Sequence, residues 1–269
     1  MSQNPESPSA EPASSRQRPR YPGIYLLPNL LTTAALLAGY FAIVSAFSGR
    51  FTEGVIAVFV AGLLDGVDGR VARLTNTQSD FGVQYDSLAD LVSFGLAPSL
   101  VMYAWSLSSL QEYGPVLGKV GWAAAFVYAA CAALRLARFN TQVGVADKRY
   151  FQGLASPAAA GLLMSYVWTI NHSAVAGADV AFVSLAVTLI GAVLMVSRVR
   201  YWSFKAMPDS DRMPFFWAPL AMGIIVLLVV HPQYFLFGLI SLYVLSGPAL
   251  TLWGLRRRRD QRSGPRSAH

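Results

Sequence analysis

Four stretches of the chain contain no charged residue over lengths that approach or exceed the roughly 20 apolar residues needed to cross a ~30 Å hydrocarbon core. They are Ile24–Gly49, Leu91–Leu110, Leu154–Asn171 and Pro232–Leu255. Of the 269 residues, 54% are hydrophobic and only 13% are charged, which lies far outside the composition of a soluble domain. The sequence therefore predicts an integral membrane protein and excludes a soluble enzyme.

Hydropathy predicts the number of helices. Backbone polar groups in lipid must be hydrogen-bonded internally, and helices satisfy this requirement at such a composition. We therefore predict an all-α fold, a polytopic membrane helix bundle with about eight transmembrane helices. The predicted helices lie at about residues 27–48, 52–74, 82–107, 116–138, 154–171, 178–197, 214–230 and 232–253.

The rest of the chain divides around this bundle. Residues 1–22 are expected to form a disordered cytoplasmic tail, because they are rich in Ser, Pro and Arg and contain no apolar core of a secretory signal. Residues 23–255 are expected to form the transmembrane domain, and residues 256–269 a basic cytoplasmic tail. The polar segment Arg198–Pro214 is expected on the membrane surface, as a loop or a short interfacial helix.

Lys and Arg orient the predicted bundle, because basic residues are retained on the cytoplasmic side of a membrane. With the N-terminus inside, all of the 21 Lys and Arg residues except Arg50 and Lys119 fall on the cytoplasmic side. We therefore expect both termini in the cytoplasm. The net charge of +7 is attributed to the basic residues that orient the bundle and to their attraction to anionic lipid headgroups. No nucleic-acid partner is expected.

Four aspartates lie in or against the apolar segments. Asp65 and Asp68 fall near the end of the predicted second helix, and Asp86 and Asp90 near the start of the third. One ionisable residue at mid-bilayer costs about 2.5 to 3.5 kcal/mol, so four of them need compensation. Successive helical residues are about 100° apart, which places each pair within ~60° on one helix face. Both pairs can therefore face one cleft at the cytoplasmic surface.

The residue types around the aspartates favour a bound metal. Small side chains on the same helix faces make room for a ligand, although they also let helices pack closely. Four carboxylates without nearby His or Cys suit a hard divalent ion, Mg²⁺ or Mn²⁺ before zinc. Two such ions would neutralise four charges, and paired ions recur in displacement at phosphorus. The alternative is a structural salt-bridge network with Arg70, Arg73 and Arg138.

The aspartates belong to a longer pattern. Residues 65–73 read DGVDGRVAR and residues 82–90 read GVQYDSLAD. Together they resemble the signature of the CDP-alcohol phosphotransferases, DxxDGxxAR…GxxxDxxxD, at every signature position. The resemblance implies a six-helix catalytic core, two divalent cations, and transfer of a phosphatidyl group from a CDP-activated lipid to an alcohol with release of CMP. Homodimers are common in this family, so the resemblance also suggests a homodimer.

The same resemblance assigns roles to residues. It implies that Asp90 is the catalytic general base. It implies a metal site formed by Asp65, Asp68, Asp86 and Asp90. It further implies a CDP-binding wall that consists of Asp65, Asp68, Gly69, Ala72, Arg73 and Gly82.

A narrower resemblance covers the segment from about Pro28 to Pro157. The motifs PNLLT (28–32), SFGLAP (93–98), LRLARFN (134–140) and FQGLASP (151–157) are similar to those of the bacterial membrane-integral phosphatidylserine synthases. The chain departs from the pattern at Ala155, where the family has proline.

The acceptor site is less constrained. Arg135 and Arg138 lie ~60° apart at the cytoplasmic end of the predicted fourth helix. With Asn140, they are candidates to bind the acceptor or the lipid phosphate, although the positive-inside rule accounts for the two arginines equally well. Asn29 and Thr32 either contact the nucleotide or cap the first helix.

We therefore expect an enzyme of the bacterial inner membrane, with its active site on the cytoplasmic side, that acts among membrane lipids on CDP-diacylglycerol and L-serine to give phosphatidylserine and CMP. Glycerol 3-phosphate, inositol phosphate and choline are alternative acceptors. Two alternatives come from other classes of protein. A divalent-cation transporter would distribute acidic residues along a path across the membrane, whereas the four aspartates cluster at one face. A membrane prenyltransferase would carry two well-separated aspartate-rich loops, which this sequence lacks.

Overall fold

The computed structural model describes residues 26–75, 79–141, 150–197, 199–202, 222 and 226–263. A π-helical turn (Leu91–Leu96) joins the third and fourth helices, and a 3-10 helix (Leu107–Tyr113) precedes the fifth. The helices are α1 (Leu26–Phe47), α2 (Phe51–Leu74), α3 (Asp80–Asp90), α4 (Ala97–Trp105), α5 (Pro115–Thr141), α6 (Ser156–His172), α7 (Ala181–Val196) and α8 (Pro232–Ser263). The predicted all-α bundle is confirmed.

The helices match the hydropathy prediction closely. The first six predicted helices correspond to α1, α2, the continuous rod formed by α3 and α4, and α5 to α7. Most of the seventh predicted helix, 214–230, lies outside the described residues, although 226–230 are helical. The last helix continues ten residues beyond its predicted end at 253, to Ser263, because arginine is a good helix former.

Several helices are suited to a bilayer. Leu27–Phe47, Asp80–Tyr113, Pro115–Thr141 and Pro232–Thr251 are long and apolar enough to cross a membrane. The helices α6 and α7 are shorter, with 17 and 16 residues. Large apolar side chains point outward, and Phe47 and Leu63 are 73% and 72% exposed. Such exposure is unfavourable in water and favourable against lipid, so the fold is that of an integral membrane protein.

Small residues fill the interior of the bundle. Ala42, Ala61, Ala97 and Ala132 are buried, and Gly54 lies so close to α1 that an added Cβ would be 3.0 Å from the carbonyl oxygen of Ala42. Small side chains allow the close helix approach on which packing in lipid depends.

The bundle has two chemically different ends. The hairpin turn between α1 and α2 forms one end, where Arg50 pairs with Glu53 at 3.0 Å. We call the other end the polar end, because α1 begins there, α2 ends there and α3 begins there, next to all four aspartates. Chain direction alone thus brings the aspartates of α2 and α3 to one level of the bundle.

The π-helical turn follows Asp90 directly. Pro98 has no N–H to donate to the carbonyl of Phe94, four residues earlier. The hydroxyl of Tyr128 on α5 donates to that carbonyl instead, at 3.3 Å, within the buried core. The irregular backbone is therefore satisfied internally, as lipid requires.

Two short strands at the polar end were not predicted. The strands β1 (Tyr150–Gln152) and β2 (Arg200–Trp202) pair antiparallel, with Phe151 opposite Tyr201. Gly153 follows β1 with φ +84°, and its N–H donates to the carbonyl of Val199 at 2.9 Å. Residues 200–202 of the expected interfacial segment Arg198–Pro214 therefore form a strand rather than a helix, and residues 198 and 203–214 lie outside the described part of the chain.

Candidate active site

Helix α1 holds together the two helices that carry the aspartates. The hydroxyl of Thr32 donates to Asp68 Oδ2 on α2 at 2.8 Å, and it also lies 3.1 Å from the carbonyl of Pro28. The hydroxyl of Thr33 lies 2.9 Å from the hydroxyl of Tyr85 on α3. Thr32, the last residue of the PNLLT motif, and the adjacent Thr33 thus connect α1 to α2 and to α3. Thr32 therefore contacts a carbonyl of its own helix and a site aspartate, whereas the sequence had offered nucleotide contact or helix capping for it.

Three of the aspartates converge. Asp65, Asp68 and Asp86 each offer a carboxylate oxygen, and these three oxygens lie within 4.8 Å of one another. Asp68 is 4% exposed, while Asp65 and Asp86 are half-buried. A hard divalent cation prefers oxygen ligands in such an arrangement, so this cluster is one that could bind a metal ion.

Asp90 completes the group. Its carboxyl group lies next to that of Asp65, and it interacts electrostatically with Asp86 and Asp68. Two carboxyl groups in contact must share a proton or have a cation between them, because two ionised carboxylates repel. The structure therefore brings all four predicted aspartates into one group, although three of them form the tightest set.

The aspartates are not neutralised by the neighbouring arginines of α2. Within the described residues, no salt bridge joins them to Arg70 or Arg73, and both arginines are exposed. The ion pair between Arg50 and Glu53 lies at the opposite end of the bundle. The salt-bridge alternative therefore finds no support on α2.

The residues of the predicted CDP-binding wall lie beside the carboxylates. An added Cβ at Gly69 would be 3.8 Å from Arg73 Nη1, so these two residues share a helix face, with Ala72 half-buried next to them. Gly82 donates its N–H to Ser79 Oγ at 3.0 Å in the N-cap of α3. A Cβ at Gly82 would lie 3.6 Å from Asn29 Oδ1, which places the start of α1 against the wall.

The three acceptor-site candidates on α5 occupy different positions. Arg135 donates from Nη1 to Ser156 Oγ at 2.9 Å and interacts electrostatically with Asp90. Arg138 is half-buried near the end of α5. Asn140 donates to Ser87 Oγ at 2.9 Å, beside Asp86. Arg135 is thus next to the carboxylates, whereas Asn140 ties α5 to α3.

The sequence missed one partner in this arrangement. Ser156 begins α6 and is fully buried, and its hydroxyl accepts the hydrogen bond from Arg135. Its place in the motif FQGLASP was a signal, but nothing local indicated that its partner would be an arginine 21 residues earlier.

A family model described as CDP-alcohol phosphatidyltransferase matches residues 25–197. This segment contains α1 to α7 and ends before α8. The four aspartates and Arg135 all lie within it.

Three curated relatives illustrate the similarity, and each is named CDP-diacylglycerol–serine O-phosphatidyltransferase. The Helicobacter pylori protein is 37% identical over 226 residues, which cover 83% of this chain and 90% of the relative. The Bacillus subtilis protein is 32% identical over 180 residues, or 66% of this chain and 91% of the relative. The Methanocaldococcus jannaschii protein is 36% identical over 144 residues, or 54% of this chain and 61% of the relative.

Proposed function

Because the chain belongs to the CDP-alcohol phosphatidyltransferase family, we propose that it transfers the phosphatidyl group of CDP-diacylglycerol to L-serine, giving phosphatidylserine and CMP. The observation that carries this proposal is the convergence of Asp65, Asp68 and Asp86 at the polar end, with Asp90 in contact with Asp65. The choice of serine is supported by the names of the relatives.

The donor set fits divalent cations. Asp65, Asp68, Asp86 and Asp90 would hold them, and an all-oxygen set without a described His or Cys favours Mg²⁺ or Mn²⁺. When bound, two such ions would offset the four carboxylate charges and stabilise negative charge on the diphosphate.

The chemical step is a displacement at phosphorus. The serine hydroxyl oxygen forms a bond to the β-phosphorus of CDP-diacylglycerol, and the bond from that phosphorus to the bridging oxygen breaks. CMP leaves with the bridging oxygen. The hydroxyl proton passes to Asp90, whose position next to Asp65 keeps it at the edge of the carboxylate cluster.

Arg135 is suited to the acceptor. Arg135 is half-buried, its guanidinium is anchored by Ser156, and it lies near Asp90. A guanidinium binds a carboxylate through two parallel hydrogen bonds. We therefore assign Arg135 to the serine carboxylate, with the serine hydroxyl directed toward Asp90.

The predicted CDP wall would bind the nucleotide. Gly69 and Gly82 carry no side chain, so the diphosphate can approach the backbone of α2 and α3 beside the carboxylates. Arg73, on the same face as Gly69, supplies positive charge toward the phosphates.

The membrane location supports a lipid substrate. The diacylglycerol tails must remain in the bilayer during transfer, so the cleft at the polar end must open sideways to lipid. We place the polar end on the cytoplasmic side of a bacterial inner membrane, because nearly all basic residues fall on that side when the N-terminus is inside. Accessibility labelling of a cysteine introduced at Arg73 tests this placement, and labelling only from outside the cell would contradict it.

A cation transporter fits the structure less well. Transport requires polar residues along a path through the membrane. Asp65, Asp68 and Asp86 are grouped at the polar end, whereas Glu53, in the first turn of α2 at the other end, is paired with Arg50.

The deciding experiment uses purified full-length protein with CDP-diacylglycerol, Mn²⁺ or Mg²⁺, and a panel of labelled alcohols. We expect CMP release that depends on serine, with a labelled lipid product. Faster CMP release with glycerol 3-phosphate, inositol phosphate or choline than with serine would identify that alcohol as the acceptor in place of serine. Absence of CMP release with every alcohol would contradict the proposed reaction.

A further inference from the structure

Arg135 is a half-buried cation whose hydrogen-bonding capacity is incompletely used. Its Nη1 donates to Ser156 Oγ at 2.9 Å, while its Nε is buried and has no hydrogen-bond partner among the described residues. A buried donor without a partner costs about 1 to 3 kcal/mol. Such a cost is expected where the donor serves a ligand, and the orientation of the guanidinium then has to be fixed by other groups.

The C-terminal helix α8 brings one such group. α8 packs antiparallel on α6: Thr169 donates to the carbonyl of Gln233 at 3.0 Å, and a Cβ at Gly161 would lie 3.0 Å from Ile240 Cδ1. When these contacts are extended along the two antiparallel helices, Tyr243 falls beside the first turn of α6, which contains Ser156. In agreement, Tyr243 interacts electrostatically with Arg135.

Tyr201 holds Tyr243 in place. The two rings are 5.5 Å apart between centroids. Tyr201 is 1% exposed, and its hydroxyl donates to the carbonyl of Val244 at 3.2 Å. Burial raises the pKa of Tyr201 to about 12, so this hydroxyl stays protonated and remains a donor.

The backbone explains why Tyr201 is fixed. β2, which contains Tyr201, pairs with β1, and β1 leads through Gly153 into α6. Gly247 on α8 contacts the ring of Tyr201 so closely that no Cβ would fit there. The strand pair therefore joins α8 and the start of α6, which hold Tyr243 and Ser156.

We propose that Tyr243 is a positioning residue for Arg135, and that α8, which lies outside the family-matched segment 25–197, completes the acceptor side of the active site. In this proposal the Tyr243 hydroxyl oxygen is the acceptor that faces the guanidinium, while Ser156 accepts from Nη1. These contacts fix the plane of the guanidinium and leave its Nε edge for the carboxylate of the acceptor. This inference rests on the proposed function of Arg135.

The test is Tyr243→Phe in the full-length protein, which removes the hydroxyl and keeps the ring against Tyr201. We expect the KM for serine to rise about tenfold, as for loss of one hydrogen bond to a charged group. The kcat and the KM for CDP-diacylglycerol should stay within twofold, because the metal and nucleotide side is untouched. A purely structural role would instead lower stability and change all three constants together.

The matched control is Tyr234→Phe, on the same helix at the opposite end of the bundle. Its hydroxyl lies 3.2 Å from Ser173 Oγ, away from Arg135. This variant should leave the KM for serine unchanged. An equal rise in both variants would overturn the inference.

A second variant tests the coupling. In an Arg135→Lys background, which lacks the planar guanidinium, Tyr243→Phe should have less than a twofold further effect on the KM for serine. Independent, multiplicative effects of the two substitutions would overturn the positioning role. If the wild-type protein turns over serine and Tyr243→Phe behaves like it, this inference alone fails. If the wild-type protein releases no CMP with any alcohol, the proposed function fails and the inference falls with it.

Discussion

The hydroxyl of Thr32 lies 2.8 Å from Asp68 Oδ2, and this contact joins the first helix to the most buried aspartate of the cluster. A buried carboxylate needs hydrogen-bond donors to keep its orientation. Thr32 supplies one from α1, while α2 supplies the carboxylate. The position of Asp68 within the cluster therefore depends on how these two helices pack.

Thr32→Val should weaken metal binding without unfolding the protein. Valine has nearly the same shape but cannot donate to Asp68, so the carboxylate loses its orientation. We expect the Mn²⁺ concentration for half-maximal CMP release to rise several-fold, consistent with loss of about 1 to 2 kcal/mol. Thr33→Val is the matched control, because its hydroxyl contacts Tyr85 and not the cluster. Equal metal dependence in the Thr32 variant and wild type would contradict this role.

Removal of divalent cations should abolish turnover. Asp65, Asp68 and Asp86 have oxygens within 4.8 Å of one another, and three ionised carboxylates at that spacing repel strongly. We expect CMP release to stop with excess chelator and to return on addition of Mn²⁺ or Mg²⁺. Full activity in chelator would show that the cluster acts without metal.

Asp90→Asn should separate chemistry from binding. The amide can still hydrogen-bond to Asp65, but it cannot accept the serine proton. We expect turnover to fall at least ~10²-fold, the lower range for a positioned general base, while binding of CDP-diacylglycerol changes little.

Asp68→Asn is the comparison for Asp90→Asn. It removes charge from the buried side of the cluster, so we expect metal and nucleotide binding to weaken together. Near wild-type turnover by Asp90→Asn, or loss of nucleotide binding as complete as that of Asp68→Asn, would assign the base to another group, and Asp86 is the nearest candidate.

Gly39→Ala should disturb the π-helical turn that follows Asp90. A Cβ at Gly39 would lie 2.6 Å from Ser93 Oγ and 2.8 Å from Ser93 Cα, so backbone must move. We expect a loss of about 1 to 3 kcal/mol in stability, measured by thermal unfolding in detergent, and reduced CMP release. A Cβ at Gly238 on α8 would have no atom of the described residues within 4 Å, so Gly238→Ala should be neutral or slightly stabilising. Equal unfolding temperatures for the two variants would contradict this close approach.

Ala155→Pro should be tolerated. Ala155 has φ −62° and ψ 139°, which is the conformation that proline adopts, and it precedes the first turn of α6. We expect full activity and a gain of about 0.4 to 1 kcal/mol in stability, because proline restricts the unfolded chain. Ala160→Pro, in the buried interior of α6, should instead cost about 3 kcal/mol. Loss of activity in Ala155→Pro would mean that this residue must adopt another conformation during turnover.

Local patterns in the sequence were sufficient for the helices and for the grouping of the aspartates. Hydropathy located α1 to α7 because a span in lipid must be both apolar and helical. The spacing of Asp65 and Asp68 and of Asp86 and Asp90 put each pair on one helix face, and the opposite directions of α2 and α3 brought the pairs to one end. These relationships depend on helix geometry alone, which the sequence encodes residue by residue.

The tertiary structure decided how the site is supported. The contacts of Thr32 with Asp68 and of Arg135 with Ser156 join residues on different helices, and no periodic pattern identifies such partners. The π-helical turn and the three-residue strands β1 and β2 are too short to produce a hydropathy pattern of their own. The place of Tyr243 near Arg135 follows from the packing of α8 on α6. The sequence alone determined which groups could do the chemistry, while helix packing determined which groups orient them, because orientation depends on contacts between residues far apart in the chain.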